Sequence, residues 1–97
     1  MKPKILIVDD TDRSRILLSD SMEAQGYETE TAANGADALK KVETFHPDLI
    51  LLDVMMPVMD GYETCRRLKS NEATRYIPVL MLTARGELED KVMGLEV

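Results

Sequence analysis

Four residues of this chain could do chemistry together: Asp9, Asp10, Asp53 and Thr83. Each follows a short apolar run. Ile5-Leu6-Ile7-Val8 ends in the pair Asp9-Asp10, Leu49-Ile50-Leu51-Leu52 runs into Asp53, and Val79-Leu80-Met81-Leu82 ends in Thr83. A carboxylate at the end of a buried strand costs stability unless its charge is compensated. Taken alone, such an acid is most simply a helix cap or one half of a structural ion pair. Three strand ends carrying an acid pair, an acid and a hydroxyl point instead to one shared site. Carboxylates brought together repel one another, and a divalent cation is the simple remedy. Oxygen ligands suit Mg²⁺, which keeps several waters and takes one or two carboxylates plus a phosphate. The ligands are too few for a closed Ca²⁺ cage, and no Cys/His cluster suggests zinc. An aspartate shielded by metal can attack phosphorus and form an aspartyl phosphate. The Thr83 hydroxyl could then donate to a phosphoryl oxygen.

The elements that would position these residues alternate along the chain. Residues 5–8 read as a first strand. Thr11 or Asp12 caps a helix that runs to about Gln25 and stops at Gly26, with Leu18 and Met22 on the face toward the sheet. Tyr27 to Thr31 reads as a short edge strand. Asn34-Gly35 reads as a turn, followed by a second helix with Ala38, Leu39, Val42 and Phe45 as its apolar stripe. Pro47 ends that unit, and the buried strand to Asp53 follows. A loop from Pro57 to Gly61 leads to a third helix, with Tyr62, Cys65 and Leu68 at helical spacing to about Lys69. Pro78 precedes the strand 79–82, and a last helix is expected from about Glu87, with Leu88, Val92 and Leu95 on one face. Such alternation predicts parallel strands joined by right-handed crossovers, with ligands gathering beyond the carboxyl ends of the strands.

The 97 residues fit one small domain. With 44% apolar and 31% charged residues, the composition is that of a globular chain. A net charge of −6 and the lack of a basic run argue against a nucleic-acid backbone as a direct partner. No apolar stretch is long enough to span a membrane. The single cysteine, Cys65, suits a reducing compartment and reads as a small core residue rather than a nucleophile. The expected location is the cytoplasm. His46, just before Pro47, reads as a solvated loop residue, and the seven methionines read as core and loop filler.

Three motifs carry a family resemblance: Ile-Leu-Ile-Val-Asp-Asp at 5–10, Pro-Asp-Leu-Ile-Leu-Leu-Asp-Val-Met-Met-Pro-Val-Met-Asp-Gly at 47–61, and Ile-Pro-Val-Leu-Met-Leu-Thr-Ala at 77–84. With their spacing, the chain resembles the receiver domain of two-component response regulators over its whole length. The resemblance implies a phosphoryl-accepting signalling switch, not an enzyme. Asp53 would accept phosphate from a histidine kinase or a histidine phosphotransfer protein. Asp9, Asp10 and Asp53 would hold Mg²⁺ with the backbone carbonyl of Met55. Thr83 and Ala84 would contact the phosphoryl group, and Met55 and Arg85 would tune its lifetime and access. The implied fold is an α/β, flavodoxin-like, doubly wound parallel sheet of strand order 2-1-3-4-5.

The family pattern continues for about one more strand and helix. The expectation is therefore a single receiver domain over 1–97, with strand order 2-1-3-4 and an incomplete C-terminal end. In the family that further strand carries a phosphate-pairing Lys. Lys91, placed on the expected fourth helix, does not match it, so phosphorylation of this chain alone is expected to suffer. An open edge on the fourth strand would also invite pairing, either with a second copy or with a partner segment.

Other readings compete. A Mg²⁺-dependent phosphatase or phosphotransferase of the haloacid-dehalogenase type also uses an aspartyl nucleophile. Many of those enzymes place a second Asp two residues after the first, where this chain has Met55. A flavin or nucleotide binder needs a Gly/Ser/Thr-rich phosphate loop after the first strand, where Asp9-Asp10 would repel phosphate. A non-signalling structural fragment of the receiver fold is the remaining alternative.

Overall fold

The computed structural model describes residues 2–53, 61–82 and 88–92, with Leu82 and 88–92 described by backbone alone. Elements follow in the order β1 (Lys4–Val8), α1 (Asp12–Ala24), β2 (Glu28–Ala32), α2 (Gly35–Phe45), β3 (Leu49–Asp53), α3 (Gly61–Ser70), β4 (Val79–Leu82) and β5 (Leu88–Val92). Among the described residues they form one sheet of order β2-β1-β3-β4-β5. The first four strands are parallel. This is the doubly wound, flavodoxin-like 2-1-3-4 arrangement that the family resemblance implies, with the parallel strands that the alternating pattern predicts.

Burial explains why the central strands read as unbroken apolar runs. Side chains of a strand alternate between its two faces, so a strand covered on both sides must be apolar throughout. Leu6, Val8, Ile50, Leu52, Val79 and Met81 share one face with residues of α2 and α3: Ala38, Val42, Cys65 and Leu68. Ile5, Ile7 and Leu51 face the other way, onto Leu18 and Met22 of α1. That second face is more thinly covered. No residue of α1 is fully buried, and Ile16 and Leu17 lie exposed.

Local chemistry sets the helix ends. Thr11 is the N-cap of α1 through its backbone, and its hydroxyl makes no capping bond. Gly26, at φ +95°, takes the left-handed conformation that ends the unit. Asn34 is expected in a turn, but its side chain instead caps α2, with Oδ1 accepting the Asp37 N–H at 2.8 Å. Gly35 is thus the first residue of the helix. His46 terminates α2 in the left-handed region and is exposed, as a solvated residue before Pro47 should be.

Two further expectations are corrected. Tyr62 does not belong to the buried stripe of α3: it is 47% exposed, and the helix buries Gly61, Thr64, Cys65 and Leu68 instead. The spacing is right but the residue types mislead, since a threonine supplies what a tyrosine was expected to supply. Residues 88–92 form a strand, not the start of a helix, and β5 runs antiparallel to β4. An i, i+4 spacing such as that of Leu88 and Val92 fits a helical period and a strand period alike, so periodicity could not separate the two. Pairing with β5 satisfies backbone groups along the outer edge of β4. Leu80 pairs with Val92 and Leu82 with Leu88, with an irregularity between them.

Candidate functional site

Parallel register brings the acids together. Val8 is the partner of Leu52, so Asp9 and Asp53 stand side by side at the carboxyl ends of adjacent strands. Both are buried, while the next residue, Asp10, is exposed. One carboxylate oxygen from each of the three lies within 4.8 Å of the others. The structure thus brings together the carboxylates of Asp9, Asp10 and Asp53, the three acids expected at one site.

Asp9 is held at several of its polar atoms. Its backbone N–H donates to the carbonyl of Ala32 at the end of β2, at 3.1 Å. Its carboxylate Oδ1 accepts the Thr11 N–H at 2.9 Å. Its backbone carbonyl accepts from Arg15 Nη1 at 2.6 Å. Arg15 also pairs with Asp12 one turn earlier on α1. Sequence reading missed Arg15. The available signal was its place one helical turn after Asp12, on the turn of helix that adjoins the acid pair.

The donor set fits a hard divalent cation. Around Mg²⁺ at about 2.1 Å, neighbouring octahedral ligands stand ~3 Å apart and opposite ones ~4 Å apart. Oxygens already within 4.8 Å need only a small contraction or an intervening water. Without a cation, three carboxylates at this spacing repel one another. Met55, Thr83, Ala84 and Arg85 lie outside the described residues. The structure does carry the strand before Thr83 to the site, because Leu82 pairs with Asp53.

The other reactive groups lie apart from this chemistry. Cys65 is buried in the α2/α3 face, and burial pushes its thiol pKa upward, away from the nucleophilic thiolate. Lys69 donates to the carbonyls of Arg75 at 2.8 Å and Ile77 at 2.5 Å, which ties α3 to the approach of β4.

A family model described as the response regulator receiver domain matches residues 5–97. This chain belongs to that family. Receiver domains are the phosphoacceptors of two-component signalling, phosphorylated by histidine kinases or phosphotransfer proteins, and are not enzymes in the usual sense. The receiver is 50% identical over 96 residues to the alkaline phosphatase synthesis transcriptional regulatory protein PhoP of Bacillus subtilis. That match takes in 99% of the chain and 39% of PhoP, so the chain spans about two fifths of this relative. The N-terminal domain of a response regulator receiver protein from Methanoculleus marisnigri JR1 superposes with a TM-score of 0.82 at 47% identity, over 84% of this chain and 66% of that one. The receiver domain of a sensor histidine kinase from Pseudomonas aeruginosa PAO1, solved with magnesium in its active-site cleft, superposes with a TM-score of 0.81 at 31% identity, over 87% and 69%. No described helix is long and apolar enough to cross a membrane.

Proposed function

We propose that Asp53 of this receiver accepts a phosphoryl group from a phosphohistidine, with Mg²⁺ held by Asp9, Asp10 and Asp53. The observation that carries the proposal is the convergence of the three carboxylates within 4.8 Å at the ends of two register-matched strands. An Asp53 oxygen attacks phosphorus, the P–N bond to the donor imidazole breaks, and the imidazole leaves with the bonding pair and takes up a proton. Mg²⁺ supplies neutralisation of the charge on the transferring oxygens. Asp9 contributes a carboxylate of fixed orientation. The Met55 carbonyl, Thr83 and Ala84 complete the proposed contacts to metal and phosphoryl group, and Met55 and Arg85 tune access.

The proposed unit is a single receiver domain, working in the cytoplasm, with a histidine kinase or phosphotransfer protein as donor. Its net charge of −6 suits a domain without direct nucleic-acid contact. The magnesium described for the Pseudomonas aeruginosa domain supports the choice of metal. The test is incubation with a small phosphodonor, with Mg²⁺ or with a chelator. One acid-stable, base-labile phosphoryl group per chain, formed only with Mg²⁺, is the expected result. Equal labelling in the chelated sample would refute the metal-assisted reading.

A further inference from the structure

Asp9 is held at three of its polar atoms by three different parts of the chain. Its N–H is fixed by β2 through Ala32, its Oδ1 by the Thr11 amide, and its carbonyl oxygen by Arg15. The first two restraints are backbone groups. Arg15 is the side chain in the set, and it reaches Asp9 from the second turn of α1 while paired with Asp12. Its own side chain is only 17% exposed, whereas that of Asp12 is 86% exposed. The guanidinium is therefore anchored on the protein side, with its fork divided between a backbone carbonyl and a carboxylate.

We infer that Arg15 is a positioning residue for the cation site, acting on the metal through the carbonyl of Asp9. This rests on the Mg²⁺ reading above. A carbonyl pinned at 2.6 Å fixes the peptide plane between Asp9 and Asp10, and with it the directions in which both carboxylates leave the chain. Loss of that bond frees the plane to rotate. Asp9 and Asp10 then lose their common aim, as when the outer partner of a metal ligand is removed.

Field and position predict opposite signs, which makes the inference testable. Arg15 places a positive charge beside three acids, so deleting it strengthens the attraction for Mg²⁺ by the field alone. Deleting it as a positioning residue weakens binding. Direct titration of Mg²⁺ into the metal-free wild type, Arg15→Met and Arg15→Lys separates the two. Methionine keeps an apolar stem of similar reach and removes both charge and donors. The expected result is a loss of Mg²⁺ affinity on the order of 10-fold in Arg15→Met, the lower end for such outer partners. Arg15→Lys, with one donor retained, should recover part of the loss. Urea unfolding in chelator measures the fold separately from the metal. If Arg15→Met does not fold, Arg15→Gln is read in its place. Equal or tighter Mg²⁺ binding in the folded variant overturns the inference. A folded wild type that binds no Mg²⁺ overturns the metal reading itself, and the positioning role with it.

Discussion

Asp9 and Asp53 leave neighbouring parallel strands at the same level, because Val8 and Leu52 are register partners. A shift of one residue in that register would move one acid a full residue along its strand and turn its side chain to the opposite face. The apolar runs on both sides of the pairing hold the register, so the core of the sheet and the geometry of the site are one and the same feature.

The acid cluster should cost stability when no cation is bound. Two unit charges about 5 Å apart repel by roughly 3 kcal/mol at an effective dielectric of ~20, before relaxation and screening. Asp10→Asn should therefore stabilise the metal-free protein, by on the order of 1 kcal/mol, and weaken Mg²⁺ binding. Urea unfolding in chelator and Mg²⁺ titration check the two halves. Unchanged Mg²⁺ affinity would remove Asp10 from the site.

Core and surface positions should respond very differently. Ile50 is fully buried between β1 and β4, and Ile50→Ala should cost about 2–5 kcal/mol, enough to unfold much of a small domain. Leu17 is 59% exposed on α1, and Leu17→Ala should change stability by no more than ~0.5 kcal/mol. Denaturant unfolding of both variants checks the contrast.

The ends of α2 offer a pair of opposite effects. Asn34→Ala removes the Oδ1 acceptor of the Asp37 N–H and should cost ~1 kcal/mol. His46 holds φ at 53°, where a side chain is strained, so His46→Gly should stabilise by up to about 1 kcal/mol. Thermal unfolding of the two variants should shift in opposite directions.

Legibility in sequence followed the strength of each physical constraint. β1 and β3 were plain because strands buried on both faces must be apolar throughout, and the acids that end them stood out as a group that the register brings together. Asn34 was placed correctly along the chain but in the wrong role, since Asn-Gly serves a turn and a helix start equally well. Arg15 carried only its place one turn after Asp12 as a signal, because its bond to the Asp9 carbonyl depends on how α1 leaves β1. β5 escaped the sequence because an i, i+4 spacing such as that of Leu88 and Val92 suits helix and strand alike, while its pairing with β4 is a property of the assembled sheet.

Cys65 makes a pH prediction. Burial raises the thiol pKa in the folded state above its ordinary value of 9.0. As pH rises past about 9, the unfolded chain loses its thiol proton first, and the folded state binds more protons. Stability then falls with rising pH through that window. Cys65→Val should remove this component of the alkaline loss. Native-state alkylation of Cys65 should also be slow compared with the unfolded chain. An equal rate in both states would contradict the buried placement.

β5 pairs with β4 from within the chain, whereas the sequence leads one to expect an open β4 edge that takes up a second copy or a partner segment. Sedimentation at micromolar concentration separates the two, with a monomer expected where the intrachain pairing suffices. Amide hydrogens in β5 should exchange more slowly than those of an unpaired segment. A dimer with fast exchange over 88–92 would mean that the edge is filled by another copy.

The central claim is that Asp53 itself carries the phosphoryl group. Borohydride reduces an aspartyl phosphate to homoserine, which marks the acceptor in the chain. After reaction with a small phosphodonor and Mg²⁺, followed by reduction and peptide mass analysis, homoserine should stand at position 53 alone and should be missing from Asp53→Asn. Homoserine at position 9 or 10 in the wild type, or undiminished phosphorylation of Asp53→Asn, would contradict the account.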